Sequence, residues 1–271
     1  MIRGNCVSFS PHQIDLMRKA GRLTAMARSY AGTLIQPGIT TREIDHEVEK
    51  FIKKHGGYPS FYHLYGFKGA CCISVNDEII HGVPGSYKLK EGDIVSVDVG
   101  ACIGDYQLDR NKAATGGYHG DCCATFACGE ISPEARRLIE VTEQSFWKGF
   151  EQAVAGNRVH DISRAVQTYV ESNGYSLVRE YTGHGIGHTV HEEPEVPNYV
   201  PESGRNERLV PNMVICVEPM VNAGTADIRN KWMPDGWAVP MTADHKLAAH
   251  YENTILITEA GPEILTRCDE D

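Results

Sequence analysis

What this sequence lacks narrows it first. No run of about 18 consecutive apolar residues occurs in its 271 positions, so no stretch reads as a membrane-spanning helix. The opening residues Met1-Ile2-Arg3-Gly4-Asn5-Cys6 have neither the apolar core nor the small-residue cleavage pattern of a secretory leader, and the expectation is a cytoplasmic protein with no membrane partner. Basic residues are scarce: 26 Lys and Arg stand against 36 Asp and Glu, a formal net charge of -10. Phosphate backbones are held by clustered Lys and Arg, and Lys53-Lys54 and Lys88 with Lys90 are too scattered to form a basic stripe. DNA is therefore not an expected partner. The nine cysteines are odd in number and include the adjacent pairs Cys71-Cys72 and Cys122-Cys123. With no C-x-x-C spacing there is no zinc knuckle, and they read as reduced, mostly buried thiols.

What is present is a chain long enough for one large core, expected as a short tail over residues 1–10 and a single domain over 11–271. From Pro11 to about Leu34 the apolar positions Ile14, Met17, Ala20, Leu23, Ala27 and Ala31 recur at helical steps, with Ser10 as cap and proline in the first turn. Pro37-Gly38 breaks the chain. Thr40 or Thr41 then opens a second helix on Ile44, Val48, Phe51 and Ile52, ending at Gly56-Gly57. The pattern returns about 118 residues later: a helix from Pro133 to about Phe150, the break Ala155-Gly156, and a helix from Asp161 through Val170 that ends at Asn173-Gly174.

The repeat continues beyond the helices. Ile79-Ile80-His81-Gly82-Val83-Pro84 is matched by Thr189-Val190-His191-Glu192-Glu193-Pro194, and Leu89 through Ile94-Val95-Ser96-Val97-Asp98 by Leu209 through Val214-Ile215-Cys216-Val217-Glu218. Asp121-Cys122-Cys123-Ala124-Thr125-Phe126 is matched by Glu252-Asn253-Thr254-Ile255-Leu256-Ile257. These runs are apolar and β-branched, as buried strands are. The expected fold is α/β (α+β), with halves of about 11–130 and 131–271 related by a pseudo-twofold, each supplying two acids and a histidine.

A carboxylate on an apolar strand is costly to bury unless it is paired or bound to a cation. Four at matching positions, with few basic residues near them in sequence, argue for divalent metal. Hard oxygen donors with an imidazole disfavour thiolate zinc sites and all-oxygen calcium sites. Two ions roughly 3.5–4 Å apart are the natural occupants of so many acids, and such pairs activate water for hydrolysis. The imidazole comes from Thr182-Gly183-His184-Gly185-Ile186-Gly187-His188-Thr189-Val190-His191, where three histidines fall within eight residues and alternate glycines make a stable helix improbable.

The combination of His81, Asp98, Asp121, Gly-His184-Gly-Ile-Gly, His191-Glu-Glu-Pro, Glu218-Pro-Met and Glu252 resembles the type I methionine aminopeptidases of the M24 metallopeptidase family, over residues 11 to about 266. The resemblance implies a pita-bread fold, an antiparallel sheet covered by helices. It implies two divalent ions (Co, Mn, Fe or Zn) on Asp98, Asp121, His184, Glu218 and Glu252, with Asp121 and Glu252 bridging. His81 and His191 would contact the substrate, Glu218 would relay protons, and Tyr65, Phe67, Cys72 and Trp237 would line a methionine pocket. The activity implied is removal of the initiator methionine from nascent chains whose second residue is small, by a protein expected to be a monomer. No ribosome-docking extension is visible, so any ribosome contact would use the catalytic surface.

The sequence departs from that pattern in three places. Asp98 and Asp121 are 23 positions apart, about twice the usual separation; the surplus, Gly104 to Gly116, reads as a protruding polar loop. Asp109 sits where spacing alone would put the second acid, but the motif Tyr118-His119-Gly120-Asp121 favours Asp121. Val190 stands where an aromatic is common, which predicts a wider methionine pocket. His188, near His184, is expected outside the ligand set. Two other readings stand beside this one: a proline-specific aminopeptidase or dipeptidase of the same fold, disfavoured because no long segment precedes the catalytic pattern, and a non-catalytic peptide-binding paralogue. The helical insert of type II enzymes is missing after His191.

Overall fold

The computed structural model describes residues 8–268. Helices start where side chains satisfy the first unpaired amides. The Ser10 hydroxyl accepts from Gln13 N at 3.4 Å while Gln13 Oε1 accepts from Ser10 N at 2.9 Å, opening α1 (Pro11–Leu34). Thr40, not Thr41, caps α2 (Thr41–Lys54), with the same reciprocal pair to Glu43. A two-residue strand β1 (Tyr58–Pro59), a 3₁₀ turn over Leu64–Gly66 and β2 (Cys71–Val75) lead into two long strands, β3 (Ile94–Leu108) and β4 (Ala114–Ala127).

The second half repeats the plan with α3 (Pro133–Phe150), α4 (Val159–Ser172), β5 (Ser176–Leu177), β6 (Gly183–Gly185), β7 (Glu192–Val196), β8 (Val214–Val217) and β9 (Met220–Asn222). A hairpin of β10 (Ile228–Trp232) and β11 (Ala238–Thr242) precedes β12 (Ala248–His250), β13 (Glu252–Thr258) and β14 (Gly261–Ile264). The principal sheet runs β1-β3-β4-β13-β8-β6-β7, and neighbouring strands along it pair antiparallel.

The duplication extends to individual backbone bonds. Gly38 N donates to Leu89 O at 2.8 Å and Leu89 N to Ile39 O at 2.8 Å; in the other half Gly156 N donates to Leu209 O at 2.9 Å and Leu209 N to Asn157 O at 2.8 Å. One face of the sheet is dry on both sides of the pseudo-axis. Val95, Val97 and Val99 pack with Ile44, Val48 and Ile52, and Ile215, Val217 and Ile255 pack with Phe146, Ile162 and Val166. Each fully buried aliphatic side chain contributes about 1.5–3 kcal/mol, so these two clusters hold the helices on the sheet.

Two expectations change. Gly104–Gly116 is not a loop: it is the outer part of the β3–β4 hairpin, paired as far as Leu108 with Ala114 and bent by a bulge between Ile103 and Tyr106. It folds back on Tyr58, whose hydroxyl donates to Lys112 O at 2.8 Å and whose ring lies 5.5 Å from Tyr106. Of the expected tail, residues 1–7 lie outside the described residues. Phe9 is only 3% exposed and packs with Ile14, Met17 and Ile186, so the chain is already part of the core there.

Candidate metal centre and active site

The other face of the sheet carries the acids. Register pairs Asp98 with Cys123 and Cys123 with Glu252, so these three side chains share a face across β3, β4 and β13. Asn253 pairs with Val217, and one step along the same antiparallel register sets Glu252 opposite Glu218. Asp121, two residues before Cys123, points the same way. Gly185 pairs with Ile215, so His184, one step back, faces with Cys216 toward the same place.

Two glycines beside His184 are required by close approach rather than by unusual dihedrals. A Cβ on Gly183 would lie 2.4 Å from Cys216 O, and one on Gly185 would lie 2.2 Å from Glu193 O. Neither has a positive φ. Only without a side chain can β6 sit between β7 and β8 closely enough to bring its imidazole to the acids.

The ion-pair contacts here are to imidazoles at lengths beyond good hydrogen bonds. His184 Nε2 lies 3.5 Å from Glu218 Oε1 and 3.9 Å from Asp121 Oδ2; His250 Nε2 lies 3.6 Å from Glu218 Oε2 and 3.9 Å from Glu252 Oε2. Donors held about 2.1 Å from one ion stand roughly 3–3.5 Å apart by simple geometry. Asp98 Oδ1, Asp121 Oδ1, Glu252 Oε1 and His250 Nε2 are buried with no hydrogen-bond partner, a costly arrangement if nothing else occupies the space. Two sets of donor atoms lie within 4.8 Å of one another, Asp121, His184, Cys216 and Glu252 in one and Glu218, His250 and Glu252 in the other. This donor set fits divalent ions.

Electrostatics agree. Burial, then the charges of Glu252 and Asp98, pushes Asp121 well above the usual carboxylate range; burial, then Glu218 and Asp98, does the same to Glu252, and burial, then Asp98, to Glu218. Burial raises Asp98 to about 6, opposed by His250. Burial lowers His184 to about 3 and His250 to about 4, leaving neutral rings with lone pairs to give.

A pocket of about 290 Å³ opens over the acids. Phe61, Leu64, Phe67, Cys72 and Trp237 give it an apolar wall, and Val190 and Val83 pack with these side chains without lining the pocket. The Trp237 ring lies 5.0 Å from that of Phe67, tilted by 48°, and its Nε1 donates to His81 O at 3.1 Å. His81 sits on left-handed backbone at φ 57 with its ring edge-on to Tyr181, and burial lowers its pKa to about 4. His191 is open at the rim, its ring 4.5 Å from His184. Tyr65 also lines the mouth, but it is 75% exposed and stacks on His191 at 5.7 Å, standing at the rim rather than within the apolar cluster.

Asp109 is elsewhere. It is exposed at the hairpin tip, where its Oδ1 accepts from Asn111 N at 2.7 Å and Ala113 N at 2.9 Å, an Asx turn. His188 turns to the hairpin, its Nδ1 bonding Gly117 O at 2.8 Å and its ring packing on Phe9 and Tyr118. The sequence reading missed Cys216 and His250. Alternation with Glu218 on β8 signals the first. The second stands two positions before Glu252, as His119 stands two before Asp121, and that parallel was the available signal.

A sheet of paired halves, with acids and imidazole gathered on one face beneath an apolar pocket, defines a metallopeptidase architecture. The chain belongs to metallopeptidase family M24, which matches residues 15–259. Within that family it is 52% identical over 255 residues to the methionine aminopeptidase of Clostridium perfringens, covering 94% of this chain and 96% of that one. It is 46% identical to methionine aminopeptidase 1 of Bacillus subtilis, covering 95% and 98%. The crystal structure of methionine aminopeptidase from Rickettsia prowazekii superposes with a TM-score of 0.86 at 33% identity, covering 97% of this chain and 100% of that chain. The pita-bread fold and the resemblance drawn from the motifs are thereby borne out.

Proposed function

We propose that the chain is a methionine aminopeptidase that removes the initiator methionine from nascent proteins whose second residue is small; Asp98, Asp121, His184, Glu218 and Glu252 would hold two divalent ions, with Asp121 and Glu252 serving both. The observation that carries this reading is the set of buried carboxylate oxygens left without hydrogen-bond partners beneath an apolar pocket. Lewis acidity is what two such ions supply, lowering the pKa of a water and polarising the scissile carbonyl.

The chain's own residues do the remainder. Phe67, Cys72 and Trp237 receive the methionine side chain, a soft apolar group that suits an apolar wall. Val190 packs against the residues of that wall. His81, held by its backbone contact to Trp237, orients the substrate amide, and His191 at the rim donates to the oxygen on which charge develops. Glu218, which lines the pocket beside the other acids, is the group placed to pass a proton to the leaving amine. Tyr65 covers His191 from the solvent side.

We infer a monomeric cytoplasmic enzyme that meets its substrates as they leave the ribosome, any ribosome contact using the catalytic surface. No helix among the described residues is long and apolar enough to cross a membrane. The proline-specific alternative is not favoured, because relatives at 46–52% identity are methionine aminopeptidases. Metal analysis coupled to release assays tests the reading: the metallated protein is expected to free methionine from Met-Ala-Ser and leave Gly-Pro peptides intact. Binding of peptide without release would instead mark a non-catalytic paralogue.

A further inference from the structure

Two histidines hold equivalent places in the repeat, His119 two residues before Asp121 and His250 two residues before Glu252. Both are buried, at 1% and 2% exposure. Their hydrogen bonding differs. His119 has both ring nitrogens engaged within the protein, Nδ1 with Ser60 Oγ at 2.9 Å and Nε2 with Gly116 O at 3.2 Å. His250 is pinned by its backbone instead: its N donates to Thr125 Oγ1 at 3.0 Å, and its carbonyl accepts from Thr125 Oγ1 at 2.9 Å. Its ring Nε2 has no partner although it is buried, and it points between Glu218 Oε2 and Glu252 Oε2 at 3.6 and 3.9 Å.

We propose that His250 is a metal ligand of its own, binding a divalent ion through Nε2 together with Glu218 and Glu252. The proposal rests on the two-ion reading above and extends it. His184 and His250 approach opposite oxygens of Glu218, the first Oε1 and the second Oε2. They fall in separate donor groups that share Glu252. Each ion would thus carry one imidazole, which shifts the pair toward metals that accept nitrogen over magnesium or calcium. A rigid backbone with an unsatisfied ring nitrogen is the arrangement expected of a preorganised ligand, whereas His119 shows what a purely structural histidine looks like at the same position.

The test is calorimetric titration of the full-length metal-free protein with Mn²⁺, for the wild type, His250→Gln, His250→Ala and the control His119→Gln, together with anomalous diffraction from Mn²⁺-loaded wild-type crystals. The expected result is two binding events in the wild type, one of them weakened at least about 10-fold in both His250 variants, no change in Mn²⁺ affinity for folded His119→Gln, and a manganese peak within about 2.3 Å of His250 Nε2. Two events of unchanged affinity in the His250 variants, even with an altered KM for peptide, overturn the proposal. So does a peak that leaves Nε2 more than about 3 Å away, a result that needs no folded variant. Failure of the wild type to take up any Mn²⁺ overturns the two-ion reading itself, and His250 falls with it.

Discussion

The two halves deliver the same chemistry on different kinds of strand. In the first, Asp98 and Asp121 stand inside uninterrupted strands of 15 and 14 residues. In the second, Glu218 occupies the break between β8 and β9, ahead of Pro219, and Glu252 is the first residue of β13. Where the ladder is continuous, the backbone passes under the site and a short aspartate reaches it. Where a strand begins or ends at the acid, a glutamate rather than an aspartate carries the carboxylate. Both kinds of strand leave carboxylate oxygens unpartnered at the shared centre.

The largest expected effect comes from removing the acid at the broken edge. Glu252→Ala is expected to lower methionine release by at least about three orders of magnitude, as loss of a central electrostatic group does, and to abolish the rise in melting temperature on adding Mn²⁺. The metal-free variant is expected to melt no lower than the metal-free wild type, because a buried carboxyl crowded by Glu218 and Asp98 is removed. A variant that still melts higher with Mn²⁺ would break the pairing of the halves. His191→Ala follows, with about a 10²-fold fall in kcat/KM for Met-Ala-Ser and metal stoichiometry unchanged. Glu252→Asp comes next, shortening the reach by one methylene: Mn²⁺ affinity is expected to fall about 10–100-fold, whereas the same change would be neutral if chain length did not matter.

A smaller effect appears in pH. Asp98 titrates near 6 in the fold, above its unfolded value, so its contribution to metal-free stability is present below the unfolded pKa and is lost as pH rises through about 6. Bound metal requires the ionised form. The increment in melting temperature given by Mn²⁺ should therefore grow as pH rises from 5 to 7, and calorimetry in buffers of different ionisation enthalpy should register proton release. His184 and His250, depressed to about 3 and 4, stay neutral in the fold across this range; their contribution is full above the unfolded imidazole value, declines below it and is gone once pH has fallen through their folded values. Uptake limited by imidazole protonation near pH 6.5 would contradict this order.

Much of this was legible in the residues. Caps at Ser10 and Thr40, helical periodicity and the strand runs ending in acids are local signals, and the repeat extends each from one half to the other. Three things were not legible. The ribbon over Gly104–Gly116 is polar because it stands out from the core, so composition could not tell a paired extension from a loop. Gly183 and Gly185 owe their identity to carbonyls of β8 and β7, which are distant in sequence. Tyr65 lines the pocket, as expected, but its place at the mouth depends on the left-handed turns at His63 and Tyr65, and chemistry alone does not predict these in non-glycine residues.

The smallest effect concerns the tip of the hairpin that carries Asp98 and Asp121 at its base. Asp109 lies on the same ribbon, and by spacing it is the better candidate for the second acid. Its carboxylate, however, is engaged by the amides of its own turn and faces solvent, whereas Asp121 keeps an oxygen that nothing in the protein satisfies. Asp109→Ala is expected to cost about 1 kcal/mol, the worth of a turn hydrogen bond, seen as faster amide exchange at Asn111 and Ala113, with Mn²⁺ affinity and methionine release unchanged. If Asp109→Ala lost metal while Asp121→Ala kept it, the centre would lie elsewhere on the ribbon. The unsatisfied oxygen, not the sequence interval, would then have been the wrong guide to a functional acid.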